Sequence, residues 1–428
     1  MRKFIKNNIR KFLVGKEQIF KFISHKDEPL DYSSLKKLEK TNLYIHIPFC
    51  KSMCPYCPYN RVLFQEDKLE RYFLALHNEI DLYHDMMGPI QVESIYIGGG
   101  TPTNAIDYLG SLIAHIKEKF NFTGNLAIET TVADINKENL DKLKLLGVNL
   151  LSIGVQSFND HYLKLLGRNY PSTMITNAVK LIDTYDFETV NIDLMFAFPN
   201  QNEDQLLADL NKANQMPVDQ ITVYPLFTFP YASVGNYLKL NKIKTPNFFK
   251  RKRFYKTILD FFKEHRYEMA SVWGFKKPTN SSLKYSSVTR NQYIGFGAGA
   301  GSRLENVFYF NTFSLESYQD ALLKEKALPI SIHLKITKKL SNYYWFYWKL
   351  YETNFLMDDF NDYSDFKMRS LLNIFKLLSF IKEKNHRIYL TDSGSFWIHL
   401  VQNIFVLDYI NNVWTIMKQE AFPKKIDI

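Results

Sequence analysis

Tyr44-Ile45-His46-Ile47-Pro48-Phe49-Cys50-Lys51-Ser52-Met53-Cys54-Pro55-Tyr56-Cys57 holds all three cysteines of a 428-residue chain, spaced CxxxCxxC just after an apolar, β-branched run. The run Leu43 to Ile47 reads as a strand. The cysteines therefore occupy the loop at its C-terminal end, the edge where parallel α/β sheets assemble their sites. Three cysteines within eight residues exclude a disulfide framework and imply a reducing compartment, so a cytoplasmic location is expected. A closed four-cysteine zinc site lacks its fourth ligand. A site of three cysteines and one histidine would need His46, which lies on the strand and outside the usual knuckle spacing. Three buried structural cysteines are the plainest alternative. An iron–sulfur cubane held by three thiolates fits the count and leaves one iron without a protein ligand.

Outward from this loop, short β-rich runs alternate with helical patterns. Strands are expected at Leu43 to Ile47, Glu93 to Ile97, Asn125 to Thr130, Leu150 to Val155, Thr189 to Met195 and Gln220 to Tyr224. Helices are expected at Glu66 to Met86, Tyr108 to Lys119, Lys137 to Leu146, Thr173 to Tyr185 and Glu203 to Asn214. Right-handed crossovers then give an α/β domain, as a partial barrel or an open twisted sheet. After Pro230 a mixed region ends in Gly295-Phe296-Gly297-Ala298-Gly299-Ala300-Gly301-Ser302, which suggests backbone passing close to something. Beyond Pro329 the chain reads as helical and aromatic. Around Arg387 to Ile410 a helix–strand–helix module is expected, with Thr391-Asp392-Ser393-Gly394 capping its last helix.

Hydrophobic residues make up 46% and charged residues 23% of the chain, which argues against extensive disorder. Lys and Arg number 54 against 44 acids, a balance of +10 that permits an anionic partner; a solvated Lys-rich surface is the simpler account. Phe12-Leu13-Val14 is too short for the core of a signal peptide. Phe4, Ile5, Ile9, Phe12, Phe20 and Ile23 recur near helical spacing, as in a helix resting weakly on a membrane surface or packing on the main domain. The apolar tract from Phe396 to Ile410 is broken by His399, Gln402, Asn403 and Asp408, so no transmembrane segment is expected.

The run from Tyr44 to Cys57 resembles the opening of the oxygen-independent coproporphyrinogen III oxidase-like family of radical S-adenosylmethionine (SAM) proteins. The likeness continues in family order through Gly98-Gly99-Gly100-Thr101-Pro102-Thr103, Gly154-Val155-Gln156-Ser157-Phe158, Asn191-Ile192-Asp193-Leu194 and Gly295 to Ser302, across more than half of the chain. It implies an α/β fold: a partial (β/α)6 radical SAM barrel with a mostly helical C-terminal domain, for which a winged-helix-like form is an option. Residues 1–40 would be a basic extension, 41–235 the radical SAM core, 236–328 a barrel extension with the glycine-rich segment, and 329–428 the C-terminal domain. The resemblance implies a 4Fe-4S cluster on Cys50, Cys54 and Cys57, whose open iron chelates SAM so that one electron yields a deoxyadenosyl radical. One SAM is implied, with a second as an option. The expected partners are a small-molecule substrate, with a tetrapyrrole leading, and an electron donor such as flavodoxin or ferredoxin; no nucleic acid is expected.

Site residues follow from the resemblance position by position. Gly99, Gly100 and Thr101 would let backbone approach SAM. Glu129 would meet its ribose or amino end, with a solvent-facing glutamate as the alternative. Gln156 and Arg168, twelve residues apart, would bring an amide and a guanidinium to SAM. Asp193 would contact the cofactor, with a structural salt bridge as its competitor. Tyr44 and Tyr56 would flank the cluster, or simply pack. Tyr59 stands where some of the oxidases carry another cysteine, Gly301 where they have a larger aliphatic residue near a second SAM, and Phe227 where they have a small one. Alternatives to tetrapyrrole chemistry are a methyltransferase acting on an aromatic or natural-product substrate and a haem chaperone-like protein without turnover.

Overall fold

The structure, a computed structural model, describes residues 21–227, 246–278, 283–286 and 292–427. The helical pattern from Phe4 to Phe20 and the passage around Pro230 lie outside them. Six parallel strands, β1 (Lys40–Ile47), β2 (Gln91–Gly99), β3 (Asn121–Thr131), β4 (Leu150–Gln156), β5 (Thr189–Phe196) and β6 (Gln220–Pro225), pair in sequential order. Helices α1 (Glu66–Met87), α2 (Ile106–Lys119), α3 (Lys137–Leu146), α4 (Ser172–Ile182) and α5 (Glu203–Asn214) connect them. This is the α/β arrangement of a partial (β/α)6 barrel. Strand alternation explains why both faces are covered. Leu43, Ile45 and Ile47 of β1 face the helices and join Leu69, Tyr72 and Leu76 of α1, whereas Tyr44 faces inward beside Tyr96. Helix ends follow local chemistry: Asn202 and Gln205 make a reciprocal cap on α5, and Gly147 closes α3 in the left-handed conformation.

The sheet runs on past β1. Strand β7 (Tyr293–Phe296) lies parallel to β1, and β8 (Gly301–Arg303), β9 (Val307–Asn311) and β10 (Ile330–Lys335) follow antiparallel. Lys21–Ser24 and Lys425–Asp427 complete that margin, and Gly274–Lys276 and Glu268–Met269 add to the sheet beyond β6, giving fourteen strands. The glycine-rich segment passes close to the chain itself. An ideal Cβ on Gly297, at φ +105°, would lie 2.5 Å from the His46 carbonyl oxygen and from the Tyr72 hydroxyl; one on Gly299 would lie 2.8 Å from the Asn60 amide.

The C-terminal region consists of α6 (Lys338–Tyr351), strand Asn354–Leu356, α7 (Met357–Tyr363), α8 (Phe366–Leu377), hairpin Ile381–Lys384 with Arg387–Leu390, and α9 (Asp392–Gln419). That order, helix, strand, two helices and hairpin, is winged-helix-like. Phe346, Phe355, Phe360, Met368, Leu372 and Ile388 form its core. Thr391 caps α9 by accepting the Gly394 N–H, as the turn sequence indicates. Among the described residues no helix is long and apolar enough to cross a membrane.

Candidate active site at the C-terminal strand edge

Past Ile47, Pro48 leads into a two-residue strand, Phe49–Cys50, that pairs in parallel with Val62–Leu63. The cysteine loop is thus fastened to itself at both ends. A second fastening comes from the turn after β2, where the Gly100 and Thr101 N–H groups donate to the Ile47 and Phe49 carbonyls at 2.8 and 2.9 Å. An ideal Cβ on Gly100 would sit 2.8 Å from the Phe49 carbonyl oxygen, and one on Gly99, at φ +117°, 2.7 Å from the His46 ring. These two glycines therefore serve close packing of the turn on the loop. Asn60 Nδ2 donates at 3.0 Å to the carbonyls of both Ala298 and Phe313, and Arg61 donates to the Cys54 carbonyl.

Cys50 and Cys54 are buried, Cys57 is half-buried, and all three are free thiols. Burial pushes Cys50 up to about 11; a Thr101 hydroxyl at 3.7 Å from its sulfur opposes this, and the neighbouring Cys57 and Cys54 thiols add to it. Burial also raises Cys57. A metal centre here must displace protons to obtain thiolates. His46 has no ring nitrogen to spare: Nε2 donates to the Asn60 carbonyl at 2.7 Å, Nδ1 accepts from Tyr44 at 2.8 Å, and burial holds its pKa down near about 4. A zinc site on His46 would have to break one of these bonds.

Beside the cysteines, the ends of β2 to β6 present polar groups. The register slips between Gly154 and Gln156, and Gln156 takes φ +73°, a conformation that costs about 1–3 kcal/mol in a non-glycine residue. The bulge turns its amide over Gly154, where an ideal Cβ would lie 2.9 Å from Gln156 Nε2 and 3.3 Å from Arg168 Nη2. Arg168 Nη1 donates to Thr131 at 2.9 Å and Nη2 to the Tyr56 hydroxyl at 3.2 Å, while its Nε is buried without a hydrogen-bond partner. Gln156 Oε1 accepts from Tyr224 at 2.8 Å. Glu129 faces inward, accepting from Tyr96 at 2.5 Å and from the Gly99 N–H at 3.3 Å, and burial raises its pKa. Asp193 accepts from Asn191 at 2.9 Å; burial, then the Glu129 charge, push it up to about 7. Among the described residues neither carboxylate has an ion-pair partner, so the salt bridge considered for Asp193 is not made there.

Phe227 packs against the cluster that holds Cys54 and Tyr56, its ring 5.6 Å from Trp273. Gly301 pairs with Phe310 across β8 and β9, and a Cβ there would approach the Phe310 ring to 2.9 Å. Tyr96, Thr131 and Tyr224 escaped the sequence reading, and Asn191 was read only as the start of a motif. The available signal was period-two alternation, since Tyr96 stands two residues before Gly98 and Asn191 two before Asp193.

Residues 44–213 match the model of the radical SAM superfamily. The fold is that of coproporphyrinogen III oxidase (HemN) from Escherichia coli, at a TM-score of 0.74 and 20% identity over 90% of this chain and 94% of that one. The chain resembles the HemN-like radical SAM family. Among curated relatives, the heme chaperone HemW of Bacillus subtilis is 29% identical over 67% of this chain and 76% of its own. Anaerobilin synthase of Escherichia coli O157:H7 is 24% identical over 89% and 87%, and oxygen-independent coproporphyrinogen III oxidase of Helicobacter pylori is 26% identical over 72% and 70%. Radical SAM proteins use a 4Fe-4S cluster and SAM. The residues of this HemN-like chain fit both. Three thiols on one fastened loop match a cubane with one open iron, and the buried Arg168 guanidinium, with its Nη2 over the bare Gly154 and its Nε unpartnered, suits an anionic group. Among the described residues no three His, Cys, Asp or Glu side chains converge on a point where one ion could sit.

Proposed function

We propose that this chain is an enzyme that modifies a tetrapyrrole, with a 4Fe-4S cluster on Cys50, Cys54 and Cys57 and SAM held by Glu129, Gln156, Arg168 and Asp193. The observation that carries the reading is the juxtaposition of a loop with three thiols and no fourth cysteine with a buried guanidinium that still has a donor to give. When bound, the cluster supplies the electron that breaks a carbon–sulfur bond of SAM. The chain's own residues bind and orient. Arg168, fixed by Thr131 and Tyr56, offers its fork to a carboxylate. Gln156, held through its oxygen by Tyr224, keeps its amide N–H groups as donors. Glu129 and Asp193 are acceptors for amino and hydroxyl groups. Phe227, Met195, Phe198 and Leu226 pack around Cys54 and exclude water.

The tetrapyrrole is supported by the relatives named as coproporphyrinogen III oxidase and anaerobilin synthase, and by the aromatic inner face of Tyr44, Tyr96, Tyr285 and Tyr293. The likeness to heme chaperones favours a second reading, haem carriage without turnover. The test is anaerobic reconstitution, reduction, and mass analysis of SAM products with coproporphyrinogen III, with haem and with neither. Deoxyadenosine formed only when a tetrapyrrole is present is the expected result. Adenosylhomocysteine alongside it would indicate methyl transfer, and stoichiometric haem binding with intact SAM would indicate carriage. Intact SAM with no tetrapyrrole bound would contradict the reading.

A further inference from the structure

Arg303 ends β8 on the inner face of the sheet, opposite Tyr293 across β7 and Phe308 across β9. Tyr293 belongs to the inward cluster with Tyr96, and directly paired residues share a face. The residue is only 7% exposed. Its Nη2 donates to Ser341 of α6 at 2.9 Å, and its guanidinium lies over the Tyr344 ring, 4.2 Å from the centroid. Its Nε is buried with no hydrogen-bond partner, and among the described residues no carboxylate pairs with it. Buried cations ordinarily have a counter-charge, because an uncompensated charge in the interior is costly. Tyr344 supplies stacking and orientation but no charge.

We propose that Arg303 anchors a carboxylate of a bound ligand. The open Nε lies on an edge of the fork that receives carboxylates in two parallel bonds, and the Tyr344 ring fixes the plane in which they arrive. Aromatic neighbours Tyr293 and Phe308 suit a flat, conjugated body attached to that carboxylate. Two sources share this chemistry: a propionate of the tetrapyrrole, which rests on the substrate proposed above, and the amino-acid carboxylate of a second SAM molecule, which does not.

The experiment measures anaerobic affinity of the reconstituted full chain for coproporphyrin III, its tetramethyl ester and SAM, in wild type, Arg303→Lys and Arg303→Met. If a propionate is the ligand, Arg303→Met weakens coproporphyrin III by about 10- to 100-fold, Arg303→Lys recovers part of this, and ester and SAM affinities stay level. If SAM is the ligand, its affinity alone falls by a similar factor. Either outcome supports the site. Folded variants with all three affinities unchanged overturn it. Wild-type protein that binds neither porphyrin sinks the tetrapyrrole reading, and SAM affinity alone then decides Arg303, an unchanged value overturning it. Ligand-free Arg303→Met should melt no lower than wild type, as expected of a cation that serves a ligand and not the fold. Should Arg303→Met not fold, wild type and Arg303→Lys decide by the same readouts; acid and ester bound equally, with SAM affinity unmoved in Arg303→Lys, overturn the proposal.

Discussion

Glu79 lies fully buried in the middle of α1, and three donors converge on it: the Gly297 N–H at 2.8 Å, Asn311 Nδ2 at 2.6 Å and the Tyr318 hydroxyl at 2.6 Å. It ties α1 to the glycine-rich segment and so to the back of β1. Burial pushes it up to about 7 from an ordinary 4.5. An acid with a raised folded-state pKa favours the fold while protonated. Its contribution is therefore complete below about pH 4.5 and is lost as pH rises towards 7. Glu79→Gln should flatten the pH dependence of stability across that window, as read by thermal unfolding at stepped pH. Glu79→Ala strands three buried donors and should cost about 3–5 kcal/mol. A persistent slope in Glu79→Gln would assign it to other groups. The cysteines were legible from spacing alone, whereas Glu79 was not singled out. Its clue was positional: seven residues after Tyr72 and three after Leu76, it falls on the buried stripe of an otherwise ordinary amphipathic helix.

At the scale of elements, the turn after β2 is what aligns the cysteine loop. Gly99→Ala places a methyl group into the His46 ring at φ +117°, and should destabilise the protein by about 2–4 kcal/mol while lowering iron retention. Unfolding midpoint and iron content would move together; a lost midpoint with full iron would show that the turn does not govern the loop. All six parallel strands and their helices were readable because β-branched runs alternate with amphipathic ones over lengths that separate the two periods. Strands β7 to β9 were not, since they are three to five residues long and rich in glycine or aromatic residues. Their pairing is also distant in sequence, as with Tyr293 beside Asn42, and no local pattern encodes it.

Across the whole molecule, Lys21–Ser24 and Lys425–Asp427 lie side by side at the far margin of the large sheet, next to β10. The sequence suggests a boundary at residue 329, but Ile330–Lys335 is hydrogen-bonded to Val307–Asn311 in that sheet. We propose that the C-terminal unit begins with α6. A chain ending at residue 328 leaves β9 as a bare edge carrying Phe308 and Phe310, and is expected to aggregate. Soluble, two-state unfolding of that truncation would contradict the assignment. The glycine-rich segment was read correctly as a close approach, but its partner could not be named, because His46, Tyr72 and Asn60 reach it only through the fold.

The proposed chemistry depends most on three thiolates sharing a cubane. Iron and sulfide analysis with EPR, on anaerobically reconstituted wild type and on the Cys50→Ala, Cys54→Ala, Cys57→Ala triple variant, tests this directly. About four irons per wild-type chain, a reduced-cluster signal that shifts when SAM is added, and loss of both in the variant are predicted. Equal iron in both proteins, or no cubane signal in the wild type, would contradict it.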